Sequence, residues 1–423
     1  MGSLGLVFAV LITIGVPIAI ALGLAGIAGL LVGGLSTLVA PQRMFTSLDS
    51  FVLLAAPFYI FAGEVMFRGG ITERLTRFSE LIVGRIRGGT AYAAVIAAIL
   101  FSGISGTAVA DAAALGQVFI RSMPREGYKP HFAAALVAAA AMIGPIIPPS
   151  VIMVIYAGIA NVSVIKMFLA GIIPGLLMGV SLAVVIFIYG LKGQLPTSQI
   201  RVTRGEIPRV LGDGLVVMSL PAFILIGSLT GVFTPTEAGG IACIYAMLLG
   251  VFYYRHLNWT GIWQSLLGTA RMSAVLFFVI STVAICDYVL TLGGVAQYTK
   301  SLFVYFADQP VLFLTVVAVV MLILGTFLDP GPMVILFVPL LMPLVREFGI
   351  DEYQFSMIMI LTGTLGLVTP PVGIVLFVTC RIGNIDQWTL FKAVLPFLAA
   401  ETAVIGLMIL FPGISSWLPN LVG

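Results

Sequence analysis

Long runs of apolar residues, broken by few charges and repeated from one end of the chain to the other, constrain this sequence more than anything else in it. They recur at Leu4–Ala40, Phe51–Phe67, Phe132–Tyr156, Phe168–Tyr189, Leu215–Val232, Ile241–Tyr254, Met272–Leu292 and Val311–Leu328, and continue to Phe411. Crossing ~30 Å of hydrocarbon takes about 20 helical residues, and most of these stretches reach or approach that length. A soluble domain carries about 25% charged residues to face water. This chain of 423 residues carries 9% charged and 60% hydrophobic residues, so lipid must be its solvent. The alternation of a membrane β-barrel is absent, and the fold class is an all-α polytopic membrane protein.

Other counts exclude little more. A net charge of +3 gives no footprint for nucleic acid. Cys243, Cys286 and Cys380 lie scattered in apolar segments, without disulfide or metal-ligand spacing. His131 and His256 stand beside charged, loop-like residues and read as solvated. The N-terminus lacks a basic leader and reads as a membrane segment. Residues 4–40 would span about 55 Å as one helix, too long for an ordinary crossing, and glycines at 23, 26 and 29 favour a break there.

Basic clusters mark cytoplasmic loops. Three stand out: Arg68/Arg74/Arg77/Arg85/Arg87, Arg121/Arg125/Lys129 and Lys192/Arg201/Arg204/Arg209. The first two are separated only by Gly88–Ile120, which must then enter and leave by one face. That predicts a re-entrant hairpin with its tip at Phe101-Ser-Gly-Ile-Ser-Gly-Thr107. Irregular polar backbone is tolerated at that depth only when buried in protein or lining a cavity.

An ungapped shift of 222 residues superimposes Gly103 on Gly325, Gly127 on Gly349, Gly144 on Gly366, Pro148-Pro149 on Pro370-Pro371 and Pro174 on Pro396. The match is a skeleton of backbone punctuation, as diverged structural repeats leave behind. It predicts a second hairpin over 311–342 with its tip at Gly325-Thr-Phe-Leu-Asp-Pro330. The loop after it carries Arg346, Glu347, Asp351 and Glu352, net negative, which suits the opposite face and makes the repeats inverted. The expected organisation is N-terminal helices over 1–50, a first repeat over 51–190, a connecting loop and two linking helices over 191–271, a second repeat over 272–412, and a tail over 413–423. Within the repeats lie arms at 71–87 and 293–309, hairpins at 88–120 and 311–342, and broken helices at 131–159 and 353–381. The arms read as interfacial.

The breaks themselves are Gly144-Pro-Ile-Ile-Pro-Pro-Ser150 and Gly366-Leu-Val-Thr-Pro-Pro-Val372. Each Pro-Pro pair unwinds its helix, freeing carbonyls and exposing a half-helix N-terminus in mid-membrane. Carbonyls are hard oxygen ligands for Na⁺, and helix N-termini favour anions. The candidate Na⁺ ligands are Ser102, Gly103, Ser105, Gly144, Pro145, Pro148, Gly325, Thr326, Asp329, Gly366 and Thr369, with Na⁺ as the co-transported ion. Candidates for contact with an anionic substrate are Ser102, Ser105, Ser150, Asp287, Tyr288, Asp329 and Arg381. Thr107, Thr362 and Thr364 add hydroxyls nearby. Of the intramembrane ionisable residues, Asp329 sits in a hairpin tip, Asp111 could cap or pair, Glu64 reads as a surface partner of Arg68, and Arg381 as snorkelling. No Gly-x-x-x-x-Gly-Lys motif of an ATPase occurs, and no nucleophile–base pair points to an enzyme.

Taken together, Phe101-Ser-Gly-Ile-Ser-Gly106, Gly144-Pro-Ile-Ile-Pro-Pro-Ser150, Phe233-Thr-Pro-Thr-Glu-Ala238 and Thr369-Pro-Pro-Val-Gly373 resemble the large, DctM-like membrane subunit of tripartite ATP-independent periplasmic transporters. The resemblance covers essentially the whole chain. It implies Na⁺-driven uptake of a small organic acid by an elevator movement, in the bacterial inner membrane. It also implies two partners, a small four-helix membrane subunit and a soluble periplasmic substrate-binding protein. Sialate- and dicarboxylate-type relatives carry an arginine just before the run Leu290-Thr291-Leu292; here that position is Tyr288, preceded by Asp287. A self-sufficient Na⁺/dicarboxylate-type symporter is the alternative reading.

Overall fold

The structure is a computed structural model that describes residues 2–83, 86–196, 205–294 and 309–422. Those residues form nineteen α-helices, with short 3₁₀ and π turns between some of them. Seven helical stretches are long and apolar enough to cross a membrane: Phe51–Arg68, Val164–Leu191, Ile207–Leu229, Pro235–Tyr253, Trp259–Leu292, Pro330–Glu347 and Gln387–Leu410. The surface they leave outside is itself apolar, with Leu6, Val180, Phe187, Ile226 and Phe252 each more than half exposed. In lipid that is the ordinary solvent-facing surface.

The N-terminal region is α1 (Gly2–Thr13), α2 (Ile18–Val32) and α3 (Val39–Leu48). The break falls at Gly15–Pro17, where Gly15 turns at φ 85°, and not at the glycines expected to cause it. Gly23, Gly26 and Gly29 serve packing instead. A Cβ on Gly26 would lie 2.8 Å from Ile285, and one on Gly29 would lie 2.9 Å from Val289. The glycine face therefore seats α2 against α13 (Trp259–Leu292). That helix is continuous from Trp259, so the linking region expected to extend to residue 271 ends sooner, and the span expected from 272 is longer.

A first group of helices is built on α13: α2, α3 and α4 (Ala55–Arg68) pack on it directly, α1 packs on α2, α12 (Pro235–Leu248) on α4, and α11 (Ile207–Leu229) on α12. Thr234 opens α12 with a reciprocal capping box to Glu237, the Thr-Pro-Thr-Glu signature read as structure. A second group comprises α6 (Gly89–Ser105), α7 (Ala108–Leu115), α8 (Pro130–Ala140), α9 (Val151–Ala160) and α10 (Val164–Leu191), followed by α14 (Pro310–Gly325), α15 (Pro330–Glu347), α16 (Glu352–Gly366), α17 (Ile374–Gly383), α18 (Gln387–Leu410) and α19 (Gly413–Leu421). Its interior is largely Ala and small residues, with Ala133 to Ala141 buried throughout. Helix α5 (Ile71–Val83) lies between the groups, its Ile71, Leu75 and Phe78 buried against α6 and α11.

The stretch expected as a tail is a helix. In α19, Ser415 and Ser416 are buried and the helix packs on α10 and α16. Nearly all of the second expected arm, 293–309, lies outside the described residues, as do Arg85, Arg201 and Arg204. Helix α15 is long enough to cross the membrane by itself, although the sequence reading makes it one limb of a hairpin.

Candidate functional site

Helix α6 ends where its sequence turns from apolar to Ser-Gly. Gly106 adopts a left-handed conformation at φ 62°, and Thr107 then caps α7. The turn is pressed against the first helix break. A Cβ on Gly103 would lie 3.2 Å from the carbonyl of Pro148, and one on Gly106 would lie 3.1 Å from the backbone nitrogen of Val151. Inside the break, the Ser150 hydroxyl donates to the Pro145 carbonyl at 2.6 Å, closing the loop from Pro145 to the start of α9. Gly103, Pro145, Pro148 and Ser150 are thus brought together, as the sequence motifs suggested.

Asp111 stands at the centre of this cluster. The Ser105 hydroxyl donates to its Oδ1, and Ser102 is a second hydroxyl neighbour. Its Oδ2 is buried without a partner, and a Cβ added to Gly144 would lie 2.3 Å from that oxygen. Glycine at 144 is what allows the carboxylate to approach the broken helix. Asp111 was weighed in the sequence as a cap or structural pair, and its orphan oxygen is the stronger signal. Ser102 is buried, donating to the Ala98 carbonyl at 2.6 Å, which leaves its acceptor lone pairs available.

The second turn has its own version of this contact. Gly325 and Gly366 touch backbone to backbone: a Cβ on Gly366 would lie 2.2 Å from the carbonyl carbon of Gly325. The backbone N–H of Gly373 donates to the Thr326 carbonyl at 3.3 Å, tying this turn to the second break. The hydroxyls of Thr326 and Thr369 donate to the carbonyls of Ile323 and Leu365 at 2.7 and 3.0 Å. Thr362 and Thr364 likewise bond back along their own helix. Asp329 caps α15, its Oδ1 accepting from the Gly331 N–H at 3.0 Å.

The two turns meet. A cavity of about 70 Å³ is lined by Thr107, Pro145, Asp329, Gly331, Met272 and Leu367. A second, of about 300 Å³, is lined by Ser105, Thr107 and Phe101 on one side and by Glu64, Gly63 and Met272 on the other. Thr107 and Met272 border both, so the spaces adjoin along the seam between the two helix groups. Glu64 pairs with Arg68 at 3.3 Å, as expected, and Arg68 donates to Gln264 at 2.8 Å.

Three candidates stand elsewhere. Asp287 and Tyr288 line neither cavity. They lie about 11 residues along α13 from Leu276, or roughly 16 Å at the helical rise, on the side where Arg43 sits 4.3 Å over the Tyr288 ring. Arg43, midway along α3, is a cation the sequence reading passed over. Arg381 is exposed, its guanidinium 5.2 Å from the Phe377 ring centre.

The full length of the chain matches known proteins. Residues 6–414 match the model of the tripartite ATP-independent periplasmic transporter, DctM component. The chain belongs to this family. It is 36% identical over 99% of its length, and 97% of the relative's, to the sialic acid TRAP transporter large permease protein SiaM of Vibrio cholerae. It is 37% identical over 90% of its length, and 89% of the relative's, to the C4-dicarboxylate TRAP transporter large permease protein DctM of Pseudomonas aeruginosa. Its fold is similar to the crystal structure of the Alcanivorax borkumensis YdaH transporter, with a TM-score of 0.58, 17% identity, and coverage of 88% of this chain and 87% of that one. The DctM-like chain is a multi-pass protein of the bacterial inner membrane, and its family consists of transport permeases rather than enzymes.

Proposed function

We propose that this chain is the translocating subunit of a Na⁺-coupled importer of a small organic acid, handed over by a periplasmic binding protein and carried by an elevator movement beside a small four-helix membrane subunit. One observation carries the reading. Residues 222 apart, Thr107 and Asp329, each hold the N-cap position of the helix after a turn, Asp329 alone with a side-chain cap bond, and line the same small cavity with Pro145.

The inverted-repeat reading has further support. At the same offset α6 answers to α14, α7 to α15, α8 to α16, α9 to α17 and α10 to α18, within a few residues at each boundary except the end of α7, which stops at Leu115 and continues as a π turn over Gly116–Ile120. Pro174 and Pro396 stand inside the two long helices that close the series. Both turns are short, and each is packed against its own broken helix, which suits re-entrant hairpins. An elevator needs one body sliding along another, and the division into a group around α13 and a group holding both turns is what such a movement requires.

A Na⁺ ion suits the oxygen set of the first half. Freed carbonyls between Gly144 and Pro148, the hydroxyls of Ser102 and Ser105, and the orphan Oδ2 of Asp111 supply neutral oxygens and a single negative charge. One formal charge holds the ion weakly enough for release. The N-termini of α7 and α15 converge on the cavity seam and present positive dipole ends to a carboxylate or sulfonate. The relatives' named substrates, a sialic acid and C4-dicarboxylates, are all carboxylates. A space of about 300 Å³ beside Ser105 and Thr107 is of the size that small-ligand sites occupy.

The test is thermal unfolding of the purified chain in NaCl against choline chloride. A ligand that binds only the folded state stabilises it in proportion to log concentration once it exceeds its dissociation constant. NaCl should raise the midpoint in the wild type, and D111N, which keeps an acceptor for Ser105, should lose that rise. Equal stabilisation of both proteins by Na⁺ would overturn the site.

A further inference from the structure

We infer that Glu401 is a proton-binding site in the middle of the membrane, distinct from the hairpin site, and that it exchanges its proton during the transport cycle. It stands in α18 inside the run Val394–Leu410, where it is the only ionisable side chain. Its side chain is 0% exposed, and neither carboxylate oxygen has a hydrogen-bond partner among the described residues. It lies roughly 21 Å along the helix from Gln387 and roughly 14 Å from Leu410. An unpaired charge at that depth costs several kcal/mol, and such residues in transporters face proton or ion pathways.

Among the described residues no counter-ion is at hand. Helix α18 packs on α8, α10, α14, α16, α17 and α19. The charged and titratable groups of these elements stand at their ends: Lys129 and His131 at α8, Lys166, Tyr189 and Lys192 on α10, Glu352 and Tyr353 at α16, Cys380 and Arg381 at α17, and Asp386 and Lys392 at the start of α18 itself. Helices α14 and α19 carry none. Tyr189 stacks on Phe397, one turn before Glu401. With no cation beside it among the described residues, a proton is the neutralising partner open to this carboxyl.

Two features let that proton come and go. Pro396, one turn before Glu401, leaves the Lys392 carbonyl without its helical donor and lets α18 bend. The next residue, Thr402, lines a cavity of about 320 Å³ with Thr315 and Thr362. Their three hydroxyls donate to their own helices, so their lone pairs remain as acceptors along that space. In the step itself a hydronium ion gives its proton to the Glu401 carboxylate from one side of the membrane, leaving water, and the carboxyl returns that proton to a water on the other side, leaving hydronium and the carboxylate.

The experiment measures uptake by the reconstituted full transporter at fixed Na⁺ gradient while pH varies. Wild-type uptake should fall roughly fivefold as pH rises and the site gives up its proton. E401Q, neutral at every pH, should give a flat profile while uptake still requires Na⁺. If E401Q does not fold, E401M fills the same volume without a titratable group and should be equally flat. An unchanged pH profile in a folded variant would overturn the proposal. Loss of the Na⁺ requirement in the wild type would strike at the coupling reading instead, so the two failures are separable. Should neither variant fold, a protonated-carboxyl infrared band in the wild type that shifts with carbon-13 glutamate, and not with labelled aspartate, would support it, and its absence at neutral pH would overturn it.

Discussion

Gly366 and Gly144 show how much of the site rests on the absence of a single atom. Gly366 lets the second turn touch its broken helix through backbone alone, and Gly144 leaves room for the Asp111 carboxylate. Both were legible as punctuation, because glycines that recur at a fixed offset among prolines mark backbone geometry. What they make room for was not legible, since one approaches a glycine and the other a carboxylate. Overpacking a tight contact costs about 1–3 kcal/mol. G366A should therefore lower the unfolding free energy by about that amount and abolish uptake, which thermal unfolding and flux assays on one preparation would check. Glu401 escaped the sequence reading although its signal was plain, a lone acid within an apolar run. Asp287 and Tyr288 drew attention by standing near a substituted position, but the structure turns that stretch of α13 toward Arg43.

At the scale of elements, charge and proline placed most of the architecture. The breaks at 144–150 and 366–373 fall where Pro-Pro pairs remove donors, and helix ends follow the basic clusters. Glycine periodicity misled at the N-terminus. Spaced at three residues on one helical face, Gly23, Gly26 and Gly29 pack a neighbour, whereas Gly15 and Pro17 do the breaking. The arm α5 lies outside the spans and carries a titratable group. Burial foremost, then the negative charge of Glu126, push the Glu80 carboxyl up from 4.5 to about 7, with Arg77 opposing. Across that interval the folded state binds the proton and the unfolded state does not. Stability should fall as pH rises from about 4.5 to about 7 and level off above, and E80Q should remove that slope. Unfolding midpoints across this range test it, and parallel profiles for both proteins would contradict it.

For the whole molecule, the division into two packed groups with cavities along their seam follows from which helices carry the breaks. Sequence suggested a pairing of halves but not how the helices would divide into the two groups, because side-chain packing between distant helices has no local signature. A sliding movement must change the separation across that seam. Glu64 and Ala113 line opposite sides of the cavity between α4 and α7, so a cross-link between cysteines placed there, with Cys243, Cys286 and Cys380 replaced, should stop uptake and reduction should restore it. Full activity with the link closed would rule out that motion.

The central claim is coupling of Na⁺ to an organic acid delivered by a partner. Its most direct test is uptake of labelled sialic acid, C4-dicarboxylates and sulfonates into proteoliposomes. The vesicles would hold this chain with its small subunit, with and without the binding protein, under an inward Na⁺ gradient. Uptake of one acid that needs both Na⁺ and the binding protein is the predicted result. Uptake without the binding protein would make the chain a self-sufficient symporter, and uptake without Na⁺ would contradict the coupling site at Asp111 and the two breaks.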